Sequence, residues 1–154
     1  MSEMDHPGAG RFVGKTHLLP IRVYYEDTDF SGIVYHANYL RFFERGRSDY
    51  LRAAGVSHAE LLEGESPTVF AVTRIALDFL RPARIDDALL VKTAYDLVRG
   101  PRLVIAQAIS REGEILARAQ VEACCITLTG RPKKPPPLLI ERLKPFLTGQ
   151  ASTF

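Results

Sequence analysis

The chain is short of the features that mark secreted, membrane-spanning or nucleic-acid-coating proteins. It has two cysteines among 154 residues, Cys124 and Cys125, and they are adjacent. Neighbours in a strand point to opposite faces, so the pair is poorly placed to bridge itself, and two such residues make no disulfide framework. No metal-ligand spacing surrounds them, so no metal site is expected. A reduced compartment is the simpler expectation. No stretch approaches the roughly 20 apolar residues of a spanning helix. Residues 1–10 lack the basic and then apolar run of a signal peptide. A soluble, cytoplasmic protein is expected. Charge of one sign is scarce too: 20 Lys and Arg against 18 Asp and Glu leave +2. That balance gives no general electrostatic case for nucleic acid, although a local basic patch would suit a phosphorylated ligand.

What is present is an ordinary globular composition, 46% apolar and 25% charged, of a length that fits one domain with a real hydrophobic core. Residues 1–15 are polar and glycine-containing and read as a flexible leader. The β-branched and aromatic run Ile21–Tyr25 predicts a strand. The acidic, hydroxyl and glycine residues of 26–32 then signal a turn. Tyr39, Phe43, Gly46, Tyr50 and Ala53 share one helical face, predicting a helix over about 37–54. Leu40, Phe42 and Leu51 widen that face, as in a helix wrapped by its surroundings. Gly46 costs such a helix about 0.5–1 kcal/mol relative to alanine, which points to close approach by another backbone. Gly55 fits a C′ cap, and a short helix is expected over 57–62.

Beyond Glu63 the apolar period changes to two. Val69, Ala71, Thr73, Ile75, Leu77 and Phe79 define one strand face. Leu89, Val91, Thr93, Tyr95 and Leu97 define the next, then Leu103, Ile105 and Ile109, then Ile115, Ala117, Ala119, Val121 and Ala123. Short links around Gly100 and Gly113 make the last three strands antiparallel neighbours. The run GRPKKPPP at 130–137 cannot continue a sheet and leads to a last helix near 138–147. The expected organisation is a leader (1–15), one domain (16–130) and a proline-rich tail with a short helix (131–154). The expected class is α+β, an antiparallel sheet of about five strands around one long central helix.

The chemistry is concentrated in Arg22–Arg52. Its runs Tyr24-Tyr25-Glu26-Asp27-Thr28-Asp29, Gly32-Ile33-Val34-Tyr35-His36-Ala37-Asn38-Tyr39 and Phe43-Glu44-Arg45, with Arg81-Pro82-Ala83 later, resemble the signature of hotdog-fold acyl-CoA thioesterases. The resemblance covers roughly residues 18–130. It is narrower to the bacterial tol-pal-associated thioesterases of the 4-hydroxybenzoyl-CoA thioesterase superfamily. It implies a hotdog fold and hydrolysis of an acyl-CoA or acyl-carrier-protein thioester. It also implies a homodimer or homotetramer with sites at a subunit interface, and no cofactor, coenzyme A being part of the substrate.

Taken alone, Asp29 reads as readily as a turn former or helix cap; the resemblance makes it the catalytic carboxylate, as nucleophile or general base. A thioester also needs donors for its developing oxyanion, and the resemblance assigns one to the backbone N–H of His36, at the start of the helix. The His36 imidazole is a further candidate for orienting water or substrate. Asp27 reads as a structural acceptor of the turn. Gly32 is expected to let the backbone approach the ligand, and Tyr35 and Tyr39 to line the pocket. Arg99 and Arg102 are expected to hold the coenzyme A phosphates, with Arg81, Arg84, Lys133 and Lys134 as weaker candidates. Glu44 reads by default as an ion-pair partner of nearby arginines. The rival readings are a hydratase or dehydratase on the same fold and a non-catalytic binding partner for acyl thioesters or acyl-carrier protein.

Overall fold

The computed structural model of the chain describes residues 5–154. Six strands form one antiparallel sheet: β1 (Arg11–Val13), β2 (Thr16–Arg22), β3 (Val69–Phe79), β4 (Ala88–Arg99), β5 (Arg102–Arg111) and β6 (Glu114–Ile126). Their order is β1-β2-β4-β5-β6-β3. The helices are α1 (Asn38–Ala53), α2 (His58–Glu63) and α3 (Pro137–Leu143). The sixth strand, β1, falls inside the expected leader. It pairs with β2, Phe12 opposite His17, because Phe12 has an aromatic niche between Tyr50 and Phe146 to fill. The leader's first four residues lie outside the described residues.

Helix α1 lies against the inner face of the sheet and buries Tyr39, Phe42, Phe43, Gly46, Tyr50 and Leu51. It is not wrapped on all sides: Leu40, Arg41, Glu44, Arg45 and Ala53 are exposed. Gly46 sits where a Cβ would come within 2.7 Å of Val91 and 2.8 Å of Thr93. The close approach expected there is therefore made by strand side chains, not by another backbone. Gly55 does end the helix in the left-handed region, at φ +87°, with the Val56 N–H donating to the Leu51 carbonyl.

Under α1, Gln107 of β5 donates to the Phe43 carbonyl and to Thr93, and accepts from Arg47. These bonds satisfy the polar groups that enter the core there. His17, fully buried on β2, lies 2.9 Å from the Asp49 carboxylate of α1 without the alignment of a hydrogen bond. Burial lowers its pKa more than Asp49 raises it. Both cysteines are buried and free, and burial pushes the Cys125 thiol up to about 11.

Three strand faces differ from strict alternation. A bulge at Thr73 moves Phe70 and Val72 onto the face shared with Ile75, Leu77 and Phe79, and another at Asp96 turns Leu97 away from Tyr95. At Leu116 a bulge puts Ile115 opposite Ser110 and Ala117 opposite Ile109, so Leu116 takes the buried place expected of Ile115. The tail is not peripheral: Leu139 and Leu143 are fully buried in the core. Among the described residues no helix is long and apolar enough to cross a membrane.

Candidate functional site

Residues 25–34 form a small, fully stitched loop. It opens with a 3-10 turn over Tyr25–Asp27, in which the Asp27 carboxylate accepts the Tyr24 N–H at 2.8 Å. Thr28 bridges Val34, and the Asp29 N–H donates to the Ile33 carbonyl at 2.8 Å. Gly32 then closes the tip by donating to the Asp29 carbonyl at 3.0 Å. It does so at φ +81°, and a Cβ added there would meet nothing within 4 Å. Glycine is needed here for its backbone conformation, and no protein atom crowds the position. The loop leans on the segment before β4, through Ile33 opposite Arg84 and the Val34 N–H on the Ala83 carbonyl.

Asp29 stands exposed at the tip. Its Oδ1 accepts both the N–H and the hydroxyl of Ser31, at 2.8 and 2.6 Å. The Ser31 hydroxyl is the main reason that its pKa lies below the usual carboxylate range. Its Oδ2 has no hydrogen-bond partner among the described residues.

The start of α1 faces the loop through one backbone oxygen. The Asp27 carbonyl accepts the Tyr35 N–H at 2.9 Å and the Asn38 side-chain amide at 2.8 Å. No side chain caps the helix, and the N–H groups of His36 and Ala37 have no partner among the described residues. Bare amides at the positive end of a helix dipole are an anion-stabilising position. The His36 imidazole is exposed, tilted on the Tyr35 ring at 4.6 Å and edge-on to Phe79 at 6.2 Å. It opens on a depression of about 260 Å³ shared with Tyr39 and Phe79. Asp29 opens on a separate, shallow one of about 580 Å³, flanked by Tyr25, Phe30 and Ile85.

The structure thus ties Asp29, Gly32, Tyr35 and His36 to one loop and helix start, but Asp29 and His36 share no cavity within a single chain. Tyr39 belongs chiefly to the core: it is buried, its hydroxyl accepts the Ala83 N–H at 3.1 Å, and burial raises its pKa. Within one chain Arg99 and Arg102 do not lie near Asp29. They flank the β4–β5 turn, whereas Asp29 lies near the start of β4. Eleven strand steps of about 3.3 Å separate the two ends, roughly 36 Å. Arg102 is also paired with Glu122 at 3.2 Å. The basic residues beside the loop are Arg81, which pairs with Glu114, and Arg84. Glu44 takes the Ser48 hydroxyl and forms no ion pair with its arginine neighbours. Two contributors had no assigned role in the sequence. Ser31 was signalled by its Asx-turn spacing from Asp29, and Asn38 only by its place in the motif. No group of three His, Cys, Asp or Glu side chains among the described residues could hold a metal ion.

Comparison with known proteins gives the family of the chain. The family model described as the thioesterase-like superfamily matches residues 23–144. The chain is 43% identical over 109 residues to the acyl-CoA thioesterase YbgC of Haemophilus influenzae, covering 71% of this chain and 79% of the relative. It is 37% identical over 127 residues to the acyl-CoA thioester hydrolase YbgC of Escherichia coli O6:H1, covering 81% and 93%. Among solved structures, a probable thioesterase from Bartonella henselae superposes with a TM-score of 0.76 at 41% identity, covering 79% of this chain and 99% of that one. The family model spans the loop, α1 and strands β3 to β6, and the chain belongs to the thioesterase-like superfamily.

Proposed function

We propose that this protein hydrolyses acyl-CoA thioesters to the free acid and coenzyme A. The observation that carries the reading is an ionised, exposed Asp29 held on the same carbonyl scaffold as the unpaired amides that open α1. Oδ2 of Asp29 is the free oxygen. It either attacks the thioester carbonyl carbon, giving an anhydride that water then opens, or takes the proton of an attacking water. In both routes negative charge builds on the carbonyl oxygen, and the His36 N–H is the donor for it. The C–S bond then breaks, and the thiolate leaves as coenzyme A once protonated. The names of the relatives support the substrate class. Coenzyme A enters as part of the substrate, and the reaction as proposed draws on no bound cofactor.

A homodimer is the smallest functional unit in this reading, with a homotetramer as its larger form. Its support is a site divided between two depressions, with exposed Tyr25 and Phe30 beside Asp29. A cytoplasmic location accords with two free thiols and a coenzyme A ester as substrate. Within one chain Arg84, basic, exposed and next to the loop, is the phosphate partner, and Arg99 and Arg102 are candidates only from a second copy.

Free-thiol release is the test, measured with a panel of acyl lengths carried by coenzyme A and by acyl-carrier protein. Asp29→Asn is expected to lower turnover by about a hundredfold or more while acyl-CoA binding persists. Equal, negligible thiol release from wild type and variant would favour a binding role. Undiminished release from the variant would remove Asp29 from the chemistry.

A further inference from the structure

The two halves of the proposed site are separate elements, and a single side chain completes the bond between them. The Asp27 carbonyl takes two donors, the backbone N–H of Tyr35 and the side-chain amide of Asn38. Asp27 precedes Asp29 by two residues, and Asn38 follows His36 by two. The Tyr35 contact is backbone and forms whatever residue stands there. The Asn38 contact requires a short side chain carrying an N–H.

Asparagine is not at this position to serve the helix. It is the first residue of α1, where helix propensity does not favour it, and it does not cap the helix amides. Its amide reaches back out of the helix. The carboxylate of Asp27 is engaged elsewhere, on the Tyr24 N–H, so the Asn38 bond goes to the backbone alone. One donor on a carbonyl is a pivot, whereas two fix its direction.

We infer that Asn38 is a positioning residue for the proposed hydrolysis: by holding the Asp27 carbonyl, its side-chain amide sets the placement of the Asp29 carboxylate relative to the unpaired N–H groups of His36 and Ala37. This rests on the roles given above to Asp29 and His36. Without the amide the Asp27 carbonyl keeps only the Tyr35 N–H, and the turn can pivot about that single bond relative to the helix start. A misplacement of about 1 Å between reacting groups costs roughly a hundredfold in rate. Contacts with the rest of the substrate are untouched, so the loss falls on kcat and not on KM.

The test uses the full chain with Asn38→Ala, Asn38→Asp and Asp29→Asn. Asn38→Ala is expected to lower kcat about 10- to 100-fold with KM changed by less than about threefold. Asn38→Asp keeps the shape but turns a donor into an anion facing a carbonyl oxygen. Protonated, the same side chain can donate an O–H to that oxygen. The ratio of Asn38→Asp to wild-type kcat is therefore expected to rise at least about fivefold as pH falls from about 8 toward 5, nearing the carboxyl range. Asp27, Asp29 and His36, the ionisable residues beside it on the loop and the helix start, are present in both proteins and largely cancel in the ratio. A purely structural role would leave that ratio flat. A flat ratio, or wild-type kcat in Asn38→Ala, overturns the inference; if Asn38→Ala does not fold, the ratio decides alone. An active Asp29→Asn would instead overturn the proposed chemistry, whatever the Asn38 variants do.

Discussion

Ser31 gives Asp29 two hydrogen bonds on one oxygen and leaves the other without a protein partner. Both bonds favour the charged form, so the carboxyl lies below its ordinary range and stays ionised through neutral pH. Removing the hydroxyl in Ser31→Ala takes away the larger cause and raises the pKa. Under the proposed chemistry activity requires the ionised carboxylate, so the acid limb of kcat/KM is expected to move to higher pH while the neutral plateau changes little. A pH profile of thiol release for both proteins checks this, and an unmoved acid limb would mean that Asp29 is not the group titrating there. At this scale much was legible in the sequence. Asp27, Asp29, Gly32, Tyr35 and His36 lie within ten residues, and local bonds among them fix their arrangement. Arg99 and Arg102 were not legible as distant, because their position depends on how far β4 carries the chain before it turns.

Elements were legible where a period runs unbroken and misread where one residue interrupts it. Of the face Tyr39, Phe43, Gly46, Tyr50 and Ala53, all but Ala53 are buried in α1, which does not skip a register. Strands do: the bulges at Thr73 and Asp96 each reverse the alternation beyond them. Asp96, aimed by its bulge, is buried and accepts the hydroxyls of Thr148 and Ser152 at 2.6 Å, pinning the end of the tail. Neither aspartate nor threonine announces a bulge by composition. Gly46 offers a quantitative test at this scale. Alanine would gain about 1 kcal/mol in helix propensity. Its Cβ would however meet Val91 and Thr93 below 3 Å, and overpacking of that kind costs about 1–3 kcal/mol. Gly46→Ala is expected to be destabilising by up to about 2 kcal/mol in urea unfolding, the strand contacts outweighing the propensity. A more stable variant would show that α1 can lift from the sheet at no cost.

For the whole molecule the informative feature is an edge. β3 has 11 residues and pairs on one side only, with β6, while the opposite edge is the three-residue β1. A long bare strand is a template for pairing with another chain, and Val72 and Phe79 on it are exposed. If a second copy pairs there antiparallel about a two-fold axis, the start of one β3 lies beside the end of the other. Phe79, at that end, is the residue that flanks His36. A partner would then bring its Val69–Val72 region against the depression at His36, and so supply the wall that a single chain lacks. No residue type signals such pairing in the sequence, since β3 carries the same alternating pattern as a central strand. Turnover is then a property of the pair. Specific activity is expected to fall on dilution in step with dissociation, followed by sedimentation over the same concentrations. A monomer that keeps full specific activity would place the complete site within one chain and remove the need for the second copy.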